Sequence, residues 1–498
     1  EQTMNYVSTR DNTIQMSAAE AIVKGLAPDG GLMTPSVVPH LPASALKTLQ
    51  DMTYQQRAVY VMGSYLDGFS AAELAAFAGT AYSKEKFSGP EPAPVRKVDD
   101  GTYCLELWHG PTCAFKDMAL QMLPHLLTAS LAKCQEEKTV CILTATSGDT
   151  GKAALEGFRD VPGTKILVFY PKDGVSHIQE LQMVTQEGDN VGVCSVVGNF
   201  DDAQTGVKKI FSDAALAEEL AQRGYLLSSA NSINWGRVLP QVVYYVSAYC
   251  DLRKSGAVAE GEKINICVPT GNFGNILAAY YARTMGVPIG RLICASNSNN
   301  VLTDFINTGV YDRQRHFYNT LSPSMDILIS SNLERMLFEL SGHDDALVKG
   351  YMAQLSAEGR YQVDEKLHAQ IGKLFSAGCC DDAGTQETIG KLWKEHRYLI
   401  DPHTAVAFHV LEQYRRDTGD DTVTLVSSTA SPFKFCAGVL GALGVTQLRE
   451  GTALLEQLSE LTGEPVPAPL ADLGSKPRRF DAVTEKDCMV DQVLDLLK

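Results

Sequence analysis

Beyond residue 100 the chain repeats one pattern. A short apolar run is followed by a turn, then by a stretch whose apolar positions recur three and four residues apart. Residues 140–146, 165–170 and 191–197 are such runs, each leading into a helical stretch, and further runs stand at 264–268, 292–295 and 423–427. Alternation of this kind predicts parallel sheets covered by helices, and the largely apolar runs predict strands buried on both faces. Ahead of residue 90 the pattern is different. Helical periodicity covers 18–26 and 46–66, with a turn at Pro28-Asp29-Gly30-Gly31 between them. Residues 87–98, which include Gly89, Pro90, Pro92 and Pro94, read as a linker. No internal repeat and no low-complexity tract is found. The expected organisation is an α/β fold of three parts. A mainly helical N-terminal domain at 1–95 has a structural role, an α/β core of two subdomains occupies 96–450, and a C-terminal helical segment covers 451–498.

Composition narrows the chemistry. At 498 residues with 45% apolar and 20% charged positions, the chain is long enough for two or three ordinary globular domains. The 43 basic and 59 acidic residues give a net charge of -16, which opposes binding to nucleic acid or to an anionic membrane. An anionic ligand must therefore be held by a local site. No apolar stretch approaches the ~20 residues of a membrane-spanning helix, and the start lacks the features of a secretory peptide. Glu1 to Thr3, ahead of Met4, read as an added remnant, and the expected location is the cytoplasm. The twelve cysteines are scattered without a CxxC pair, so they are expected to pack as small hydrophobes. Ten histidines without ligand spacing make a metal site unexpected.

Parallel sheets of this kind bind ligands outside the carboxyl ends of their strands, and three segments at such ends carry candidate chemistry. The first is Thr270-Gly271-Asn272-Phe273-Gly274-Asn275, between a strand and a helix. Its glycines let backbone N–H groups approach an anion, and the helix start adds partial positive charge. It matches neither a P-loop nor GxGxxG, and a plain tight turn is the alternative. The second is Ser147-Gly148-Asp149-Thr150-Gly151, suited to a carboxylate or phosphate, or else to N-capping by Ser147 or Asp149. The third is Trp108-His109-Gly110-Pro111-Thr112-Cys113-Ala114-Phe115-Lys116-Asp117. Lys116 stands at a helix start, where the dipole disfavours a cation. It is either a solvated lysine or a desolvated amine ready to react with an aldehyde.

Residues 109–117 (His-Gly-Pro-Thr-x-Ala-Phe-Lys-Asp) resemble the cofactor-lysine segment of the threonine synthases. Further segments agree in order: Ser147 to Gly151, Asn231-Ser232-Ile233-Asn234-Trp235-Gly236-Arg237, Gly271 to Asn275, and Ser428-Thr429-Ala430-Ser431-Pro432-Phe433-Lys434-Phe435. The opening Tyr6-Val7-Ser8-Thr9-Arg10, with Gly25-Leu26 and Asp29-Gly30-Gly31-Leu32, is similar to the start of the longer, microbial type. The family often has histidine and alanine where Ser431 and Phe433 stand, and an acidic residue at the position of Asn275.

The resemblance implies fold type II of the pyridoxal-phosphate enzymes, two open, mostly parallel sheets with the cofactor between subdomains. It implies conversion of O-phospho-L-homoserine and water to L-threonine and phosphate, the last step of threonine biosynthesis. Lys116 would carry the cofactor as a Schiff base and move protons as a neutral amine. Gly271, Asn272, Phe273, Gly274 and Asn275 would hold the cofactor phosphate, and Thr429 would face the pyridine nitrogen. Ser147, Gly148, Asp149, Thr150 and Gly151 would bind the substrate carboxylate. Lys152, Asn234 and Arg237 are candidates for the substrate phosphate, although Arg237 fits a structural ion pair equally. His109, Trp108 and Trp235 read as structural. The partner is a small molecule, and the chain is expected to be a monomer or homodimer. A phospholyase or dehydratase of the same fold is the nearest alternative, and a non-catalytic phosphate-binding protein the alternative of another class.

Overall fold

The computed structural model describes residues 4–498, so the remnant read at residues 1–3 lies outside it. Strands β1 (Tyr6–Ser8), β2 (Asp11–Met16) and β3 (Met33–Pro35) form a small antiparallel sheet in the order β2-β1-β3. The N-terminal unit is therefore not purely helical. Its helices are Ala18–Lys24, Ala43–Leu49, Tyr54–Gly63 and Ala71–Ala81. The single helix expected over 46–66 is two. Thr53 accepts the Gln56 N–H while the Gln56 side chain accepts the Thr53 N–H, a capping box that starts a new helix where the apolar periodicity alone runs on.

Eleven strands build two parallel-type sheets in the core: β4 (Val95–Asp99), β5 (Thr102–Glu106), β6 (Thr139–Ala145), β7 (Thr164–Pro171), β8 (Val191–Val197), β9 (Tyr225–Ser228), β10 (Ile264–Pro269), β11 (Ile289–Ser296), then, after β12 (Val310–Asp312) and β13 (Arg360–Gln362), β14 (Phe375–Cys379), β15 (Thr424–Ser428) and β16 (Val483–Glu485). The five-stranded sheet has the order β16-β8-β7-β6-β9 and is parallel throughout. The six-stranded sheet has the order β14-β11-β10-β15-β5-β4, with only the β4–β5 pair antiparallel. β12 and β13 pair separately. Five of these eleven strands lie outside the six runs read from the sequence: β5, β9 and β14 fall in stretches given no strand, and β4 and β16 in segments read otherwise. β4 is the end of the segment read as a linker, and β16 lies within the C-terminal segment read as helical. Each is short and only partly buried, so neither shows the continuous apolar run that marks the central strands.

Helix Trp235–Lys254 joins the parts. Seventeen of its 20 residues are buried, and it packs against Tyr54–Gly63 of the N-terminal unit, Gly274–Met285 of the core and the short helix Asp117–Leu120. Arg57, itself buried, donates to Asp251 (2.6 Å), to Ser247 Oγ (2.9 Å) and to the carbonyl of Leu49 (2.8 Å). Arg335 makes a second tie, donating to Met33 O at 2.7 Å and Ile233 O at 2.8 Å. The N-terminal unit thus shares one hydrophobic core with both sheets. The cysteines are free: nine of the twelve are buried as small hydrophobes, Cys134 and Cys379 are half-buried, and Cys488 is exposed. No helix of the described residues is long and apolar enough to cross a membrane.

One contact sets the position of helix Asp117–Leu120. Helix Asp149–Phe158 approaches it at Gly157, where a Cβ would lie 2.2 Å from Leu120 O. Backbone cannot yield as a side-chain tip can. Gly157→Ala is therefore expected to cost about 1–3 kcal/mol as an overpacked contact, read as a lower urea midpoint of the full chain; an unchanged midpoint would show that the two helices slide freely.

Candidate active site

Lys116 is 9% exposed and caps the short helix Asp117–Leu120. The preceding residues are laid along the end of β15. Cys113 adopts φ 62°, Ala114 bridges antiparallel to Ala430, the Phe115 N–H donates to Thr429 O at 2.7 Å, and the Ser431 N–H donates to Cys113 O at 3.0 Å. This pairing brings Lys116 beside Thr429. The neighbouring motif residues hold Asp117 instead: Thr112 donates to it through its N–H (2.8 Å) and its Oγ1 (2.6 Å). Gly110 stands so near that a Cβ would be 2.7 Å from the Asp117 carboxylate. Burial pushes that carboxyl up to about 6 despite the Thr112 donors.

Burial also pushes the Lys116 amine down to about 8 from its ordinary 10.5. Asp149 opposes this, while Arg237 and Lys434 add to it. The solvated-lysine reading thus gives way to a desolvated amine. It faces a cavity of about 760 Å³ lined also by Thr429, the turn from Thr270 to Asn275, Ser147, Thr150, Ser324, Arg237 and His403. Arg10, Lys24, Gly25, Leu26 and Gly30 of the N-terminal unit complete the wall, so that unit's role is not only structural. The charged lining is Arg10, Lys24, Lys116, Lys208, Arg237 and Arg313 against Glu334 alone. Within a protein of net charge -16, this is a local anion site.

The turn after β10 is built for an anion. Phe273 takes a left-handed conformation, φ 71°, and helix Gly274–Met285 starts without any side-chain cap although its first two residues are buried. Helices Tyr54–Gly63, Ala71–Ala81, His177–Val184 and Phe200–Phe211 all carry capping boxes. A buried helix start left uncapped offers free N–H donors. Gly271 has no room for a side chain, since a Cβ would lie 2.7 Å from Ser324 O. Asn275 accepts hydroxyls from Tyr244 (2.8 Å) and Tyr245, as a carboxylate would, while its Nδ2 has no protein partner.

In the second turn neither Ser147 nor Asp149 caps the helix Asp149–Phe158. Thr146 Oγ1 accepts the N–H groups of Gly148 (2.9 Å) and Gly151 (2.8 Å). That leaves the hydroxyls of Ser147 and Thr150 in the cavity lining, where Gly148, Asp149 and Gly151 are absent. Asp149 is engaged by Lys434 at 2.6 Å. Arg237, 3% exposed, donates to Ala230 O but makes no ion pair with any described residue, and its Nε has no partner. The ion-pair alternative for Arg237 is therefore not what the structure holds. Lys152 and Asn234 do not reach the cavity. Lys152 Nζ donates to Gln186 (2.6 Å) beside Glu156; Asn234 caps helix Trp235–Lys254 and donates to Ile22 O at 3.0 Å. His109 bonds Glu106 at 2.9 Å, and Trp235 packs among Tyr6, Tyr65 and Tyr281.

Several lining groups were not singled out from sequence, Lys208, Arg313, Ser324, Glu334 and His403 among them. His403 Nε2 accepts the Ser324 N–H at 3.1 Å, so the proton sits on Nδ1, which donates to Asp401 at 2.7 Å. Asp401 also accepts the Thr404 side chain, whose Oγ1 lies 3.1 Å from Ser428 Oγ. The only signal for His403 was Asp-Pro-His-Thr at a helix start, which reads as an N-cap.

A desolvated lysine at the carboxyl ends of parallel strands, facing an uncapped helix start that can hold a phosphate, defines the class: a pyridoxal-phosphate-dependent enzyme. A profile described as "Pyridoxal-phosphate dependent enzyme" matches residues 87–358, flanked by "Threonine synthase N terminus" at 5–82 and "Threonine synthase, C-terminal" at 404–494. "Threonine synthase" of Pseudomonas aeruginosa is 38% identical over 92% of this chain and 94% of its own length. The crystal structure of pyridoxal-phosphate-bound threonine synthase from Brucella melitensis superposes with a TM-score of 0.86 at 36% identity, covering 99% of both chains. The human protein "Threonine synthase-like 1" is 41% identical over 87% of this chain, which spans only 58% of that protein's length. The chain belongs to the threonine synthase family, and the cofactor is pyridoxal phosphate.

Borohydride reduction of the purified protein is expected to fix the cofactor on Lys116 alone, found by peptide mapping, and Lys116→Ala to yield no labelled peptide. In the chain freed of cofactor, labelling of Lys116 by an amine reagent is expected to rise with pH around a midpoint near 8, because only the neutral amine reacts; a midpoint near 10.5 would mean that the amine is solvated.

Proposed function

We propose that this chain converts O-phospho-L-homoserine and water to L-threonine and phosphate, the last step of threonine biosynthesis. The observation that carries the reading is Arg237, a buried cation without a carboxylate partner among the described residues, in the same cavity as Lys116. Burial of an arginine is normally matched by an anion. A second phosphate, on the substrate, supplies one where the cofactor's phosphate is already provided for by the Gly271–Asn275 turn.

Pyridoxal phosphate, when bound, draws electrons from the amino acid and so acidifies the protons on its α- and β-carbons. In this reading Lys116, neutral above about pH 8, takes the proton from the α-carbon and exchanges protons at the carbons beyond it. Backbone N–H groups from Gly271 to Asn275, at the uncapped helix start, would hold the cofactor phosphate. Thr429, in the same lining, would offer the cofactor ring nitrogen a neutral hydroxyl, which would leave the ring a milder electron sink than a carboxylate partner would. Ser147 and Thr150 bind the substrate carboxylate with hydroxyls and the local amides, while Gly148, Asp149 and Gly151 shape that turn. Arg237 neutralises the leaving phosphate with its forked donors. Lys152 and Asn234, committed elsewhere, take no part. The enzyme is read as cytoplasmic, a monomer or homodimer, with a small-molecule partner.

Incubation with O-phospho-L-homoserine is expected to release L-threonine and phosphate in equal amounts. Phosphate with 2-oxobutyrate and no threonine would make the chain a phospholyase of the same fold, and no product at all would sink the enzymatic reading. Arg237→Gln is expected to lower kcat/KM about 100-fold, as the loss of a charge-assisted contact does, while borohydride still fixes pyridoxal phosphate on Lys116.

A further inference from the structure

Lys434 has no part in the reading above, yet its side chain is 0% exposed. It lies on the one-turn helix Pro432–Phe435 that follows Thr429. Its Nζ is 2.6 Å from Asp149 Oδ1 and donates to Thr112 O at 2.9 Å. Asp149 accepts further from Gln179 Nε2 (3.0 Å) and Ser324 Oγ (3.4 Å). Three segments meet at this point: the turn after β6 in one sheet, the end of β15 in the other, and the stretch leading to Lys116.

The charges that act on Lys116 are Asp149, Arg237 and Lys434. Asp117, next in sequence, is held by Thr112, and His403 is directed to Asp401. Among these, Asp149 is the carboxylate that favours a protonated Lys116. A buried carboxylate requires a counter-ion. After Lys434, the cation that acts most strongly on Asp149 is the Lys116 amine, which must stay neutral.

We propose that Lys434 is a positioning residue for Lys116: it serves as the counter-ion of Asp149 across the two sheets, so that the Lys116 amine is spared that task. Burial of the amine remains the main reason that Lys116 titrates low, and the Lys434–Asp149 pair keeps the carboxylate from reversing it. The inference rests on Lys116 as the reacting amine and not on the substrate or its products.

The test measures Lys116 labelling against pH in the full chain freed of pyridoxal phosphate, with peptide mapping. Lys434→Met removes the charge that disfavours the protonated amine and leaves Asp149, so the midpoint is expected to rise by about one pH unit. Asp149→Asn leaves Lys434 alone, and the midpoint is expected to fall. The double variant, with both charges gone, should lie between the two. A merely structural Lys434 would change unfolding midpoints without moving the titration in opposite directions. An unmoved or lowered midpoint in Lys434→Met overturns the proposal; should that variant yield no soluble chain, an unmoved or raised midpoint in Asp149→Asn does so. Because no substrate is added, failure here leaves the threonine assay untouched, and failure of that assay leaves this titration readable.

Discussion

Removing one lysine amine from water is the constraint around which the site is built. An ammonium loses hydration when buried, so burial favours its neutral form, and Lys116 titrates low chiefly for that reason. Burial requires a wall on every side. β15 supplies one through the pairing of Ala114 with Ala430 and of Phe115 with Thr429, and the short helix Asp117–Leu120 supplies the floor. Helix Trp235–Lys254 closes the back and brings Arg237, whose charge pushes in the same direction.

The second theme is the capture of anions by an acidic protein. A net charge of -16 repels the phosphate of the cofactor, and the cavity reverses that sign locally. Cations lie on the N-terminal unit (Arg10, Lys24) and on the core (Lys208, Arg237, Arg313). Helix Gly274–Met285 adds N–H donors that nothing in the described protein satisfies by side-chain capping. Arg10 is itself anchored, donating to Glu334 at 2.9 and 2.8 Å, so the one acidic residue of the lining is already matched. The remaining cations face the cavity with no acidic partner inside it.

The N-terminal unit belongs to this arrangement. Arg57 and Arg335 are deeply buried, and each places donors across the boundary between the unit and the core, Arg57 on Asp251 and Ser247 and Arg335 on Met33 O. A buried guanidinium losing its acceptors is costly, so the unit is held in one place, and with it Gly25, Leu26 and Gly30 at the cavity wall. A loosely attached cap could not define a pocket of one size.

By itself the amino-acid sequence determined the local and periodic features. The central strands are legible because they are buried on both faces and so apolar throughout, and the strand-turn-helix rhythm implies parallel sheets. The glycine at 110, whose side-chain room Asp117 takes, and the order of the motifs were equally legible, the first through a neighbour in the chain and the second through family resemblance. What only the tertiary structure decided lies between distant segments. Whether Lys116 is solvated depends on residues more than 300 positions away, Thr429 and Lys434 among them. Whether Arg237 is paired depends on which carboxylates the fold brings within reach, and none of the described residues pairs with it. Asn234 and Lys152 stand beside the right motifs but turn to Ile22 and Gln186, because a side chain's direction is set by its helix and its packing, not by the motif that precedes it. The Lys434–Asp149 pair joins residues 285 positions apart, one beyond β6 and the other beyond β15, and charge pairing at such separation leaves no local pattern in the chain.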